Sequence, residues 1–153
     1  MTHTDEAHLR RAIELADEAH RAGDQPFGSL LVGPDDGVLA EDRHTVMTER
    51  DISAHPELKL ARWAARHLDL ETARGTTMYT SCQPCGMCAG AIQRSGLGRV
   101  VFALSSTQLA EIQGAQRTVQ PVRGEGPLLF DEARQPVERF LETHGGWPAF
   151  PGS

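Results

Sequence analysis

The sequence has little of what marks several classes of protein. Lys59 is its only lysine, and its 15 basic residues are outnumbered by 21 acidic ones, for a formal net charge of −6. A protein that grips a polyanion usually presents a basic face, so this balance argues against a nucleic-acid substrate. No apolar run approaches the roughly 18 residues of a membrane-spanning helix, and residues 1–6 lack the basic and apolar regions of a signal peptide. We therefore predict a cytoplasmic protein with no membrane partner.

Cysteine is also scarce, and its distribution is informative. The three cysteines, Cys82, Cys85 and Cys88, all fall within seven residues, which suits metal ligation in a reducing compartment better than a disulfide framework. The chain shows no internal repeat, linker or low-complexity tract. A length of 153 residues is enough for one well-buried core and too short for two ordinary ones. We therefore predict a single domain over residues 1–153.

Hydrophobic periodicity predicts a mixture of helices and strands. Apolar residues recur at helical spacing in residues 5–21, 53–68, 86–94 and 131–144, and more weakly in 105–114. Strand-forming runs occupy residues 27–32, 38–46, 76–81 and 96–104. The first two runs flank a turn and are expected to form an antiparallel hairpin. A helix is followed by a strand twice afterwards, which favours parallel pairing with helices on the sheet faces.

His55-Pro56-Glu57 opens the second long helix. On a regular helix, side chains two positions apart point in nearly opposite directions, so His55 and Glu57 could not both face one ion if both were helical. Pro56 removes this conflict, because a proline pushes the preceding residue out of the α region and is well tolerated at the first helical position. We therefore expect His55 in an extended cap and Glu57 in the first turn, with converging side chains.

The stretch at residues 81–91, SCQPCGMCAGA, supplies further ligands. Pro84 rigidifies a turn, and in a helix starting near residue 86 the sulfurs of Cys85 and Cys88 lie on one face within reach of one ion. With His55 they give three protein ligands, which leaves one tetrahedral position of a zinc ion for water, as in catalytic sites. Zinc lowers the pKa of such a water. Glu57 is placed to take the proton of that water and return it to a substrate.

Two other interpretations fit the same residues. Cys82 could join His55, Cys85 and Cys88 in a closed structural zinc site, although a rigid Gln-Pro turn separates Cys82 from the other cysteines. Glu57 could be an ordinary solvated helix residue, an interpretation that the neighbouring histidine weakens. The remaining histidines are predicted to be surface or packing residues: His3, His8, His20, His67 and His144.

These motifs resemble those of the cytidine deaminase-like superfamily, within it the branch of guanine deaminases, fungal-type cytosine deaminases and tRNA adenosine deaminases. The resemblance runs from the first helix to about Leu104 and includes Pro26-Phe27-Gly28-Ser29, Asp51 and the zinc-deaminase signature His-x-Glu then Pro-Cys-x-x-Cys. It implies a three-layer α/β/α sandwich around a five-stranded mixed sheet, and a homodimer or larger assembly. It also implies Zn2+ on His55, Cys85 and Cys88, with Glu57 as the proton shuttle.

Two residues depart from the family pattern. Pro56 stands where the family usually has alanine, which the cap argument tolerates. His44 stands where guanine deaminase-like members usually carry an asparagine that binds the substrate. An imidazole is bulkier and offers one donor or acceptor at a time, or two donors when charged, so the recognised edge of the base is expected to differ. The predicted substrate-binding residues are Phe27, Gly28, His44, Ala54, Ser81 and Cys82. Gly28 either marks the entry to a strand or lets the backbone approach a ligand.

The sequence thus predicts a zinc-dependent hydrolase that deaminates a free aminated nucleobase of guanine or cytosine type, or a close heterocyclic analogue. A tRNA adenosine deaminase is the first alternative, against which stand the acidic balance and the mixed charges of residues 131–144. A non-catalytic, zinc-stabilised interaction module is the second. Beyond two glycines the tail carries Trp147 and Phe150, which suggests a lid over the chain's own pocket or that of a neighbouring subunit.

Overall fold

The computed structural model describes residues 2–114 and 122–147, whose elements alternate along the chain. The strands in this part are β1 (Gly28–Val32), β2 (Val38–Arg43), β3 (Thr77–Cys82) and β4 (Arg99–Leu104). The helices are α1 (His3–Arg21), α2 (Val46–Glu49), α3 (Pro56–His67), α4 (Leu70–Arg74), α5 (Gly86–Ser95), α6 (Ser106–Gln113) and α7 (Phe130–His144). None of the described helices combines the length and the apolar character needed to cross a membrane.

The four strands form one mixed sheet in the order β2-β1-β3-β4. The predicted β1–β2 hairpin is confirmed, and β3 and β4, joined through α5, pair in parallel as expected. Parallel pairing was also expected for the preceding helix-to-strand step, but β3 pairs with β1 in antiparallel fashion. The reason is that β2 and β3, which the α3–α4 crossover connects, do run in the same direction, with β1 inserted between them.

The predicted fifth strand is not found in the part of the chain that the structure describes. After β4 the chain enters α6, and residues 122–129 form no strand. Residues 115–121 lie outside the described part. The sheet is therefore mixed, as expected, but has four strands there instead of five.

Hydrophobic clusters cover both faces of the sheet because side chains of a strand alternate between the faces. In β1, Leu30 joins the cluster formed with α1, whereas Leu31 joins the cluster formed with α3 and α5. All five residues of β1 are buried, as befits a strand with a neighbour on each side and helices on both faces. The result is a layer of helix, a layer of sheet and a second layer of helices.

Helix α1 packs unusually close to β1 at Gly28. A Cβ atom added to Gly28 would lie 2.6 Å from both the Ala12 carbonyl oxygen and the Ala16 nitrogen, and it would also collide with the Leu15 Cβ. Only glycine fits there, because the backbone of α1 occupies the space of a side chain. Gly28 is the first residue of β1, which agrees with the interpretation as a strand entry. Its contact with α1 explains why the residue is glycine, without reference to a ligand.

A buried carboxylate fastens the start of α1 to the sheet. Asp5 is 2% exposed and accepts hydrogen bonds from the Tyr79 hydroxyl (2.7 Å) and from two nitrogens of Arg99 (2.9 and 3.1 Å). It also completes a capping box with Thr2. Hydrogen bonds from Arg99, then Tyr79, hold the pKa of Asp5 well below its usual range. Burial and the bond to Asp5 raise the pKa of Tyr79 to about 12.

Three local expectations differ from the structure. The second strand was predicted to run to residue 46, but β2 ends at Arg43 and α2 begins at Val46. The buried Asp24 carboxylate accepts hydrogen bonds from the backbone amides of Met47 and Thr48 at the start of α2. Helix α4 was not predicted. Helix α7 forms as predicted, but none of its residues is buried, so its apolar face does not contribute to the hydrophobic core.

Candidate active site

The start of α3 brings His55 and Glu57 together as the sequence predicted. His55 is the N-cap residue with extended backbone (φ −80°, ψ 140°), and Pro56 occupies the first helical position. Glu57 follows in the first turn and is 5% exposed. Because the helix begins between them, the two side chains line the same pocket even though they are two positions apart.

The start of α5 supplies the two sulfurs that face His55. Cys85 is the N-cap of α5, and Cys88 lies in its first turn, fully buried. The His55 Nδ1 lies 3.7 Å from the Cys85 Sγ and 3.4 Å from the Cys88 Sγ. Tetrahedral zinc with ordinary bond lengths separates a nitrogen ligand from a sulfur ligand by about 3.6 Å. The three residues therefore fit a zinc ion.

The surroundings of Cys88 disfavour its thiolate form in the absence of a cation. Burial first, and then the charge of Glu57, raise the pKa of the Cys88 thiol well above its usual range. A metal ligand must be the thiolate form, and a bound cation supplies the charge that stabilises it. The ligand set and its surroundings agree on a metal centre.

Cys82 does not belong to this centre. The group of described residues that could hold a metal ion is His55, Cys85 and Cys88, with ligand atoms within 4.8 Å of one another. Cys82 is buried at the end of β3, and burial followed by the charge of Glu57 raises the pKa of its thiol. It lines the pocket as a neutral thiol, which weakens the alternative of a closed four-ligand structural site.

A small cavity with a volume of about 80 Å³ lies beside the candidate zinc ligands. Its lining residues lie in or next to six elements: Phe27, His44, His55, Pro56, Glu57, Cys82, Gln83, Cys85 and Leu109. Gln83 lies in the Cys82 to Cys85 region that was expected to line the pocket, although it was not named as a substrate-binding residue. Pro56 and Leu109 were not predicted to line the pocket, and no local signal in the sequence indicates Leu109, which belongs to α6.

Three predicted substrate contacts are not among the lining residues. The Gly28 amide donates to the Ser81 hydroxyl (3.1 Å), so these two residues bind each other across β1 and β3. The Ala54 carbonyl accepts the Thr45 amide (3.1 Å) and so secures the loop before α3. The structure gives Gly28, Ala54 and Ser81 supporting positions, and substrate binding by them stays a prediction.

His44 is held inside the pocket between two rings. It is 2% exposed, and its ring centre lies 5.7 Å from that of Phe27 and 5.2 Å from that of His55. Burial, then the neighbouring His55, lower the pKa of His44, so the ring is neutral at pH 7 and offers one donor and one acceptor. Its Nδ1 is buried without a hydrogen-bond partner among the described residues.

The single lysine of the chain fixes the segment that carries His44. The Lys59 ammonium, on α3, donates to the Asp42 carboxylate (2.8 Å), the Arg43 carbonyl (2.8 Å) and the Thr45 hydroxyl (2.9 Å). These partners lie on both sides of His44 in the sequence. Lys59 therefore holds this segment against the helix whose N-terminus provides His55. Sequence reasoning did not assign this role.

The predicted lid residues do not reach the pocket in the described structure. Trp147 is 71% exposed and contacts the Phe140 ring, with centroids 5.4 Å apart. Phe150 lies outside the described residues. The lid stays a prediction.

The family follows from sequence comparison. Residues 2–104 match the family described as the cytidine and deoxycytidylate deaminase zinc-binding region, and the chain belongs to this family. It is thus a zinc-dependent deaminase, in the class of hydrolases that act on C–N bonds.

Three of the chain's relatives are named as deaminases of three different substrates. The chain is 31% identical to a probable cytosine deaminase of Schizosaccharomyces pombe, over 90% of this chain and 83% of that protein. It is 38% identical to the guanine deaminase of Bacillus subtilis (69% and 68%) and 34% identical to the tRNA-specific adenosine deaminase of Haemophilus influenzae (71% and 62%).

Solved structures support the fold. An X-ray structure of guanine deaminase from B. subtilis aligns with a TM-score of 0.77 at 28% identity, over 97% of this chain and 99% of that one. A mutant protein solved in complex with 8-azaguanine aligns with a TM-score of 0.64 at 26% identity, over 97% and 78%.

Proposed function

We propose that this deaminase acts on a free aminated nucleobase of guanine or cytosine type, or a close heterocyclic analogue, and releases ammonia. The observation that carries the proposal is the pocket, whose lining joins Glu57 and His55 to the apolar side chains of Phe27 and Leu109. Relatives that act on cytosine and guanine, and a similar structure that holds 8-azaguanine, support the same substrate class.

The reaction adds water across a C=N bond and then breaks the exocyclic C–N bond. His55, Cys85 and Cys88 would hold zinc, which supplies an acidified water as the nucleophile. Glu57 accepts a proton from this water and delivers it to the ring nitrogen beside the reacting carbon. A second proton transfer through Glu57 lets the amino group leave as ammonia, and the ring keeps the oxygen.

His44 is the residue that we expect to select the base. A buried ring nitrogen without a partner is unfavourable, and a bound base can supply the partner that the described residues do not. The neutral ring presents one donor and one acceptor, whereas an asparagine amide presents two donors and an acceptor oxygen. Substituting His44→Asn is therefore expected to change the ratio of kcat/KM between bases while leaving the zinc content intact.

The direct test measures ammonia release by the zinc-loaded protein from guanine, cytosine, adenine, isoguanine, aminated triazines, available nucleosides and tRNA. Release from a free base supports the proposal. Release from tRNA alone, falling steeply with salt, would transfer the assignment to a tRNA adenosine deaminase.

A pair of carboxylate variants tests the catalytic role of Glu57. Glu57→Gln is expected to keep the fold and the zinc while lowering kcat by about 10²–10⁴-fold, because proton transfer is lost. The matched control is Glu71→Gln, which removes an exposed carboxylate on α4 and should change nothing. Full activity of Glu57→Gln, or no activity of the parent toward any substrate, would favour a non-catalytic zinc module.

The proposal includes assembly as a homodimer. An apolar groove between α5 and β4 supports it, with Phe102 39% exposed beside Ile92 and Val100. Light scattering should then give twice the mass of one chain, 16.7 kDa, and a monomer at micromolar concentration would contradict this part.

A further inference from the structure

A buried chain of hydrogen bonds lies behind Glu57. The Ser29 hydroxyl on β1 donates to the Thr80 hydroxyl on β3 (2.8 Å), and the Thr80 hydroxyl donates to the Glu57 Oε1 (2.8 Å). Ser29 and Thr80 are fully buried, and Glu57 is 5% exposed. Ser29 belongs to the Pro26-Phe27-Gly28-Ser29 motif, which gave it no role, and Thr80 belongs to no motif.

The direction of these bonds follows from proton counting. A hydroxyl has one hydrogen to donate, and an ionised carboxylate only accepts. Thr80 must therefore give its hydrogen to Glu57, and its lone pair receives the hydrogen of Ser29. The Cys82 carbonyl, 3.1 Å from the Thr80 hydroxyl, is the competing acceptor. The bond to the carboxylate is shorter and assisted by charge, so it is the stronger one.

The two hydroxyls lie on the two central strands of the sheet. Ser29 and Thr80 are directly opposite each other in the antiparallel β1–β3 pair. Both strands are central in the sheet, with neighbours on each side. A flexible glutamate side chain on a helix is thereby tied to the sheet by one oxygen.

We infer that Thr80 is a positioning residue for Glu57 and that Ser29 sets the direction of the Thr80 hydroxyl. The inference rests on the proposed function, in which Glu57 moves the proton. Because the Thr80 hydroxyl binds Oε1 of Glu57, Oε2 of Glu57 is the oxygen that transfers the proton. Such a restraint matters because catalytic groups must stay within about 0.5 Å of the productive geometry.

The test compares variants of the zinc-loaded full chain on the base that the substrate panel identifies. Thr80→Val keeps the shape and removes the hydroxyl. It is expected to lower kcat by about 10- to 100-fold, the kinetic equivalent of one charge-assisted hydrogen bond, with KM and zinc content unchanged. Thr80→Ser restores the hydroxyl and should recover most of kcat.

Thr76→Val is the matched control. Thr76 is also fully buried beside β3, and its hydroxyl donates to the Thr72 carbonyl (2.7 Å), away from the pocket. This variant should lower the thermal midpoint without changing kcat. Ser29→Ala, which leaves Thr80 in place, should lower kcat by less than Thr80→Val, and it tests the inference should Thr80→Val fold poorly.

The outcomes separate the inference from the proposed function. If Glu57→Gln abolishes activity but Thr80→Val and Ser29→Ala retain the parental kcat, the positioning role is wrong and the proposed function stands. An equal loss of kcat in Thr80→Val, Thr80→Ser and Thr76→Val would mean that Thr80 contributes only to packing. Full activity of Glu57→Gln would overturn both.

Discussion

Replacing Gly28 with alanine is expected to push α1 away from the sheet. The new Cβ would lie 2.6 Å from two backbone atoms of α1, 0.8 Å short of the 3.4 Å at which ordinary contact begins. Backbone atoms cannot avoid a clash by a rotamer change, as the end of a side chain can, so this segment of α1 must move. Forcing extra volume into a close-packed core costs about 1–3 kcal/mol, and occasionally more. We expect the Gly28→Ala loss at the upper end of that range.

The assay is urea unfolding followed by circular dichroism, with Gly37→Ala as the control. A Cβ at Gly37 would meet nothing within 4 Å, and this glycine is not among those with positive φ, so its substitution should stay within about 1 kcal/mol of the parent. Gly28→Ala should lower the urea midpoint by about 1 M or more. Equal midpoints for the two variants, with a raised KM only for Gly28→Ala, would refute the packing explanation and restore the alternative in which Gly28 serves a ligand.

Three further predictions concern the metal, a buried hydrogen bond and the dependence of stability on pH. Cys85→Ser should lose zinc on dialysis, whereas Cys82→Ser should keep one equivalent by metal analysis; comparable losses would mean that Cys82 is a ligand. Tyr79→Phe should lower the free energy of unfolding by about 1–3 kcal/mol, because a buried hydrogen bond to a carboxylate is lost. Asp5 has a folded pKa below its ordinary 3.8, so its contribution to stability is present above about pH 4 and is lost as pH falls through the folded pKa. Asp5→Asn should therefore flatten the acid limb of the pH–stability curve, and an unchanged limb would contradict this account.

Local sequence rules predicted the parts of the site that one element decides. The position of His55 outside α3 and of Glu57 inside it follows from the backbone restrictions that Pro56 imposes, and the structure has both as expected. The placement of Cys85 and Cys88 at the start of α5 was similarly predictable, because Pro84 and the three-residue spacing act within one turn.

Features that depend on elements far apart in the chain could not be predicted in this way. The contact of Gly28 with α1 and the reach of Lys59 to the segment around His44 exist only once the layers are packed. The same holds for Leu109 in the pocket. The antiparallel pairing of β3 with β1 depends on which strand the α3–α4 crossover passes, and hydrophobic periodicity carries no information on that choice.

The position of the zinc ligands also bears on the unfolded chain. His55 and Cys85 are 30 positions apart, and α3, α4 and β3 lie between them. A metal held at both ends closes this segment into a ring, as a disulfide would. By the chain-entropy relation for cross-links, a ring of this length disfavours the unfolded ensemble by about 3.5 kcal/mol. The ion bound for catalysis would thus also stabilise the fold, and its removal by a chelator is expected to lower the free energy of unfolding.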